Sequence, residues 1–137
     1  MKVWDLQTRK EVITLSGHTL WVSGVTVTPD GKYLISGSGD KTLKVWDLQT
    51  GEEVSTLIGH SKVSAVAVTP DGKYVLSGSR DNTLKVWDLV SGEVIATFTG
   101  EGAINCCAVA PDGVTIVAGE ASGRLHFLRL ENVNRVE

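Results

Sequence analysis

His18, Ser36, Asp40 and Trp46 recur as His60, Ser77, Asp81 and Trp87, two copies of one polar set at closely matching intervals. Serine, histidine and aspartate are the residue types of nucleophilic catalysis. There an exposed hydroxyl attacks, a base takes its proton, and a third group orients the base. The same residues are equally the parts of a buried hydrogen-bond network. An indole N–H donates to the serine oxygen, the serine hydroxyl donates to one imidazole nitrogen, and the other nitrogen donates to the carboxylate. A network satisfied from end to end specifies one packing, and loss of one member strands the others. A tryptophan laid over the hydroxyl would block a substrate, and an active site seldom occurs in duplicate, so the structural reading is the stronger.

The elements that must position these residues also repeat. Trp-Asp occurs at Trp4-Asp5, Trp46-Asp47 and Trp87-Asp88, in steps of 42 and 41 residues. Gly17-His18 and Gly59-His60 precede the last two by 29 and 28 residues, and Pro-Asp-Gly recurs at 29–31, 70–72 and 111–113. Such a period marks one supersecondary unit used several times. Within each unit, short Val/Ile/Leu/Thr-rich runs alternate with turn residues and read as strands. In the Pro-Asp-Gly turns, proline presets φ and glycine supplies the positive φ that follows. The first full unit predicts strands a to d at Val22–Thr28, Tyr33–Gly37, Thr42–Asp47 and Glu52–Leu57. The next predicts Val63–Thr69, Tyr74–Gly78, Thr83–Asp88 and Glu93–Phe98. The chain opens on a third and a fourth strand, Lys2–Leu6 and Glu11–Leu15. It closes on Ile104–Ala110, Thr115–Gly119 and Arg124–Leu130.

Period, dipeptides and turn together resemble the WD40 repeat, over Lys2 to about Leu130. The resemblance implies an all-β fold: a WD40-type β-propeller segment of about three four-stranded antiparallel blades plus a partial one. Propellers close with about four to eight blades, so this segment is expected to be too short to close a ring alone. The expected organisation is a partial blade at 1–15 (strands c and d), repeat 1 at 16–57 and repeat 2 at 58–98. A degenerate terminal repeat (strands a–c) follows at 99–130, and then a polar tail at 131–137. In this family the matching positions form structural tetrads running from Asp to His to Ser to Trp. The resemblance thus assigns His18, Ser36, Asp40, Trp46 and His60, Ser77, Asp81, Trp87 to tie the loop before strand a to the b–c turn and strand c. The last repeat departs at every tetrad position, with Glu101, Ala118, Ser122 and Leu128-Arg129 in their places. The chain is similar to the C-terminal blades of a bacterial WD40 array, of the kind found behind signalling ATPase modules, and is expected to be the C-terminal part of a larger propeller. Propellers of this family commonly let the N-terminal segment supply the missing strand of the last blade, and Glu11–Leu15 has the character for it.

Composition narrows the function classes. The formal net charge is −3 with 42% hydrophobic residues. No basic excess points to nucleic acid or a membrane surface, and no apolar run approaches the ~18 residues of a membrane-spanning helix. The N-terminus opens directly in a repeat motif, so no signal peptide and a cytoplasmic location are expected. Cys106 and Cys107 are adjacent, which strand alternation sends to opposite faces, and no second pair completes a metal site or a disulfide framework. No catalytic site, metal site or cofactor is expected. The function implied is a non-enzymatic protein-interaction scaffold or recognition module, with other proteins as partners. WD40 propellers bind mostly on the face that carries the d–a loops and b–c turns, where Trp21, Lys62 and Arg80 fall. Trp21 follows a one-residue insertion, and aromatic and arginine side chains dominate binding hot spots. The bland alternatives are that Trp21 packs on a neighbouring blade and that Lys62 and Arg80 are solvated charges. Lys44, Lys85 and His126 read as a solvated stripe on strand c. Two competing accounts of function stand beside the module: a ring assembled from two or more chains, and a propeller hydrolase. A truncated remnant with no role of its own is a further reading.

Overall fold

The structure is a computed structural model that describes residues 1–59 and 61–130. Among the described residues, thirteen strands run in chain order: β1 (Lys2–Asp5), β2 (Lys10–Thr14), β3 (Val22–Val27), β4 (Tyr33–Ser38), β5 (Thr42–Asp47), β6 (Glu53–Ile58), β7 (Val63–Val68), β8 (Tyr74–Ser79), β9 (Thr83–Asp88), β10 (Val94–Thr99), β11 (Ile104–Val109), β12 (Thr115–Glu120) and β13 (Leu125–Arg129). The described residues contain no helix. Sequential antiparallel pairing makes four sheets: β1-β2, β3-β4-β5-β6, β7-β8-β9-β10 and β11-β12-β13. Among the described residues, two sheets therefore have four strands, one has three and one has two. The tail at 131–137 and His60 lie outside the described residues.

Local chemistry sets the turns. Between the first and second strands of a full blade, the Asp30 carboxylate accepts the Thr28 hydroxyl at 2.7 Å and the Lys32 amide at 2.9 Å, and Gly31 takes a φ of +75°. The aspartate of each Trp-Asp pair performs a second task of this kind. Asp47 Oδ1 accepts the amides of Gln49 and Thr50 at 2.8 and 3.2 Å, and Asp5 and Asp88 close the equivalent turns in the same way. The third-to-fourth-strand turn is thus capped by the residue beside the tryptophan.

Packing between sheets repeats as faithfully as pairing within them. One face of the first full blade presents Ile35, Leu43, Val45 and Leu57, and Val63, Val75 and Trp87 of the next blade pack against it. Leu76, Leu84 and Val86 receive Ile104, Ile116, Ala118 and Leu130 of the terminal sheet in turn. A β-bulge opens each first strand after Val22, Val63 and Ile104. It turns the hydroxyls of Ser23 and Ser64 toward the neighbouring blade, where they donate to the carbonyls of Val63 and Ile104. β3, β7 and β11 lie side by side as the inner strands of the array. The array is open, because Leu125 and Phe127 remain exposed on the last sheet, and Val22, Val25 and Val27 on the first full blade.

Strand ends differ from the sequence expectation by a residue or two. β2 starts at Lys10 rather than Glu11, and β12 runs on to Glu120. The latter shift is physical: Glu120 occupies the register position of Ser38 and Ser79 and continues the ladder opposite Ile104.

Candidate functional site

The polar set of the first full blade is assembled from three separate stretches. β4 carries Ser36 and β5 carries Trp46, two strands that pair directly. The loop before β3 carries His18, and the turn between β4 and β5 carries Asp40. The Trp46 indole N–H donates to Ser36 Oγ at 2.9 Å, His18 Nε2 lies 2.7 Å from the same oxygen, and His18 Nδ1 lies 2.8 Å from Asp40 Oδ2. With the indole donating to the serine oxygen, the serine hydroxyl donates to Nε2 and Nδ1–H donates to the carboxylate, which satisfies every group. Asp40 also accepts the Thr42 hydroxyl at 2.6 Å and the amides of Thr19 and Thr42 at 3.1 and 3.0 Å. The carboxylate therefore fastens the loop before β3 to the β4–β5 turn.

Gly17 completes this packing. A Cβ built there would lie 2.9 Å from Trp46 Cη2, and one at Gly59 the same distance from Trp87 Cη2. The glycine of each Gly-His pair is the floor on which the blade's tryptophan rests.

In the second full blade, Trp87 Nε1 donates to Ser77 Oγ at 2.7 Å, and Asp81 accepts the Ser61 and Thr83 amides at 3.2 and 2.9 Å. His60 lies outside the described residues. Chemically, neither serine is placed for nucleophilic attack: Ser36 and Ser77 are 0% exposed, each beneath an indole. Among the described residues no buried side-chain nitrogen or oxygen lacks a partner, and no group of His, Cys, Asp and Glu is arranged to hold a metal ion.

The terminal sheet solves the same problem with different residues. Ala118 replaces the serine and is buried, and Glu101 turns outward to Arg124 at 2.8 Å. The buried Glu120 carboxylate instead bonds the His126 ring and accepts the Ser122 hydroxyl at 3.2 Å. It lies over Gly100 and Gly102, where a Cβ would approach its oxygens to 2.8 and 3.1 Å. The hydrogen bond to His126 holds the Glu120 carboxyl below its ordinary value. Glu120 did not stand out in the sequence, and His126 did so only as a member of the strand-c stripe. The available signal was a carboxylate in register with Ser38 and Ser79, facing a loop flanked by glycines.

His126, Lys44 and Lys85 are accordingly not a solvated stripe. Lys44 Nζ pairs with Glu53 and donates to the Thr56 hydroxyl at 3.0 Å, and Lys85 Nζ donates to the Thr97 hydroxyl at 3.4 Å. The matching position of each third strand, Lys44, Lys85 and His126, is thus pinned to its neighbouring strand. Of the cysteines, Cys106 is exposed while Cys107 packs against the core, and burial pushes the Cys107 thiol up to about 12.

Trp21, Lys62 and Arg80 fall along one rim of the array. The Trp21 ring does not insert into the neighbouring blade; it lies on its own β4–β5 turn, where a Cβ at Gly39 would come within 2.4 Å of it. Lys62 from the next blade places its ammonium 5.2 Å from the ring centroid. Trp21 is still 51% exposed and Leu20 beside it 48%. Arg80 is exposed, with its amide donating to the Lys62 carbonyl at 3.0 Å. The rim thus offers an aromatic ring edged by the Lys62 ammonium, with the exposed Arg80 on the adjoining turn.

The WD domain, G-beta repeat, family matches residues 9–47, 51–88 and 92–127. The chain belongs to the WD40 family. Each matched repeat takes in the fourth strand of one sheet and the first three of the next, so consecutive WD40 repeats interlock: β6 pairs with β5, and β10 with β9. Among curated relatives, nuclear distribution protein PAC1 of Arthroderma otae is 48% identical over 42 residues, 31% of this chain and 9% of that protein. Lissencephaly-1 homolog 1 of Paramecium tetraurelia is 44% identical over 43 residues, 31% of this chain and 11% of that protein. Protein FIZZY-RELATED 2 of Arabidopsis thaliana is 44% identical over 41 residues, 30% of this chain and 8% of that protein. The likeness to these WD40 proteins thus covers one repeat's length and a small part of each relative.

The first tetrad has a consequence for acid stability. Burial raises the Asp40 carboxyl, but hydrogen bonds from Thr42, His18 and the Thr19 amide overcome it and lower it from 3.8 to about 2. A carboxyl depressed by folding contributes stability in full above its unfolded value, and that contribution is lost as pH falls through the folded one. Up to about 2 kcal/mol is therefore expected to disappear between pH 3.8 and 2. Urea midpoints should show the gap between the parent and Asp40→Asn narrowing across that window. A constant gap would show that Asp40 is not the titrating group.

Proposed function

We propose that this chain is a non-enzymatic recognition module of WD40 type, a scaffold element that binds other proteins through the rim carrying Trp21, Lys62 and Arg80. The observation that carries the reading is the half-exposed Trp21 ring, held flat on Gly39 with the Lys62 ammonium over it. An aromatic side chain in the interior of a sheet is explained by packing, whereas one fixed in place on a rim and left open is suited to anchor a partner. Aromatic and arginine anchors supply most of the binding energy in protein interfaces, and a pre-positioned ring loses little freedom when it is covered. The Lys62 ammonium over the ring favours a partner segment with a carboxylate beside an apolar residue. The hydrolase reading finds less support, because the hydroxyls that would act as nucleophiles are buried beneath Trp46 and Trp87.

Selection of peptides from a random display library on the immobilised chain tests this. Selected peptides are expected to pair acidic and apolar residues and to weaken by about 30-fold on Trp21→Ala, the effect of a hot-spot residue worth about 2 kcal/mol. Unchanged affinity for both Trp21→Ala and Lys62→Ala would place the binding surface elsewhere.

A further inference from the structure

We propose that the cleft between the two four-stranded sheets binds an extended segment of another protein. The segment inserts an aliphatic side chain beside Ser55 and sets a lysine or arginine against Asp30 and Asp71. The cleft lies at the end of the strands away from the Trp21 rim, and the inference does not rest on the rim reading. Both of its walls belong to four-stranded sheets, so it depends on neither end of the chain.

The walls come from four stretches. The β3–β4 turn and strand β6 of one sheet face the β7–β8 and β9–β10 turns of the next, around a space of about 510 Å³. Clefts that hold ligands run from about 300 to 1,000 Å³. Two contacts fix the walls: a Cβ at Gly72 would lie 3.4 Å from Pro29 Cδ, and one at Gly92 3.3 Å from Leu57 Cδ2. The buried Val45 forms the floor, with Tyr33 and Leu89 packed on the same apolar cluster.

The preceding junction shows why the space is open and what fills it. Val3, Val45 and Val86 hold one register position in their sheets, and Ile13, Ser55 and Ala96 stand opposite them. Ile13 reaches across to the next sheet, where a Cβ at Gly51 would come within 2.9 Å of its Cγ2. Gly92 is the matching glycine at the cleft. It meets only Leu57, because the Ser55 side chain stops short. A second departure from the repeat lies at the mouth. The residue after Trp-Asp-Leu is Gln7 in the β1–β2 turn and Gln49 in the β5–β6 turn, but here it is Val90, 97% exposed. An aliphatic side chain from outside would take the place that Ile13 fills, among Val45, Val54 and Val90.

Charge and strand edge identify the rest of the ligand. Asp30 Oδ1 accepts the Thr28 hydroxyl and the Lys32 amide, and Asp71 Oδ1 accepts the Thr69 hydroxyl at 2.6 Å and the Lys73 amide at 3.0 Å. Oδ2 of each carboxylate takes no part in these turn bonds. Among the described residues that line the cleft, Lys73 is the one cation against two carboxylates, and the negative surplus suits a basic side chain. β6 is the edge strand of its sheet, with no strand beyond it among the described residues. Its outward amides and carbonyls suit an extended peptide better than a compact ligand.

Peptides selected from a random display library on the full chain carrying Trp21→Ala, so that the rim anchor is absent, test the proposal by fluorescence anisotropy. They are expected to hold isoleucine, leucine or valine beside arginine or lysine. Ser55→Ile restores the residue that fills the preceding junction, and should weaken these peptides by about 30-fold. Val90→Gln, the residue of the other two turns, changes an exposed side chain. It should weaken them by about fivefold with the circular dichroism unchanged. Asp30→Asn with Asp71→Asn keeps the Oδ1 acceptors and removes the charge. It should weaken a basic peptide by about tenfold and leave the analogue with norleucine in place of the basic residue unaffected. Affinity unchanged by both Ser55→Ile and Val90→Gln would overturn the proposal. So would selected peptides without a cation beside the apolar residue, or a selection that yields no peptide.

Discussion

Replacing Trp46 with alanine is expected to destabilise the protein by about 3–5 kcal/mol, the range for removing a large aromatic side chain from a core. Trp46 is among the largest fully buried side chains of the molecule. It joins Leu15 and Leu34 in the cluster that also gathers Val3, Ile13 and Leu48. Its ring rests on Gly17 and meets the His18 imidazole edge-on at 6.2 Å. Two losses therefore add. A cavity opens between the first sheet and the first full blade, and Ser36 Oγ loses its indole donor in a site that water does not reach. A small domain is stable by only about 5–15 kcal/mol in all, so the change removes a large share of the total. Trp46→Phe separates the two terms, since it keeps much of the volume and deletes the N–H. It is expected to cost about 1–3 kcal/mol, close to the cost of leaving one buried polar group unsatisfied. Urea unfolding followed by circular dichroism measures both. If Trp46→Ala fell within 1 kcal/mol of the parent, the tetrad would be an ornament of the fold and not its fastening.

The contrast between the full blades and the terminal sheet explains what was legible in the sequence. Turn chemistry is local: Pro29-Asp30-Gly31 and Trp46-Asp47 fix their conformations through hydrogen bonds spanning two or three residues, and so they announce themselves. The tetrad is not local, since His18 and Ser36 lie 18 residues apart, but repetition at one period exposed it. Where repetition lapses, so does legibility. Glu120 and His126 occur once, and their pairing follows from the space left when Ala118 and Glu101 took the places of serine and histidine. The position of Trp21 on the rim is legible, but its seat on Gly39 is not, since Lys62 and Ala103 hold the equivalent register and Arg80 and Ala121 stand in the place of the glycine. Lys44 was read as solvated because alternation directs it outward. Alternation does not reveal that the neighbouring strand carries Glu53 and Thr56 at the height to receive it.

Gly78→Val is expected to cost about 3 kcal/mol or more, at the upper end for forcing extra volume into a packed core, with the damage confined to the junction between the second full blade and the terminal sheet. The glycine is not needed for backbone conformation, since Gly78 lies within β8 and is absent from the positive-φ glycines. It is needed for room. A Cβ there would lie 2.6 Å from Ile104 Cγ2 and 3.3 Å from the Ile104 carbonyl, which itself accepts the Ser64 hydroxyl. A flexible side chain could swing aside, but a backbone oxygen held by a neighbouring blade cannot, so the whole terminal sheet must shift. Proteolysis should then find 100–130 cut faster while the first full blade remains protected, and hydrogen exchange should quicken in β11 before β3. Ile104→Ala in the same chain relieves the side-chain part of the overlap. Residues in contact couple by about 0.5–3 kcal/mol in such cycles, so the double variant should be more stable than the two single losses predict. A double variant showing simple additivity would mean that the glycine matters for something other than the approach of Ile104. The same argument would then lapse for Gly37 and Val63, where the geometry is repeated one blade earlier.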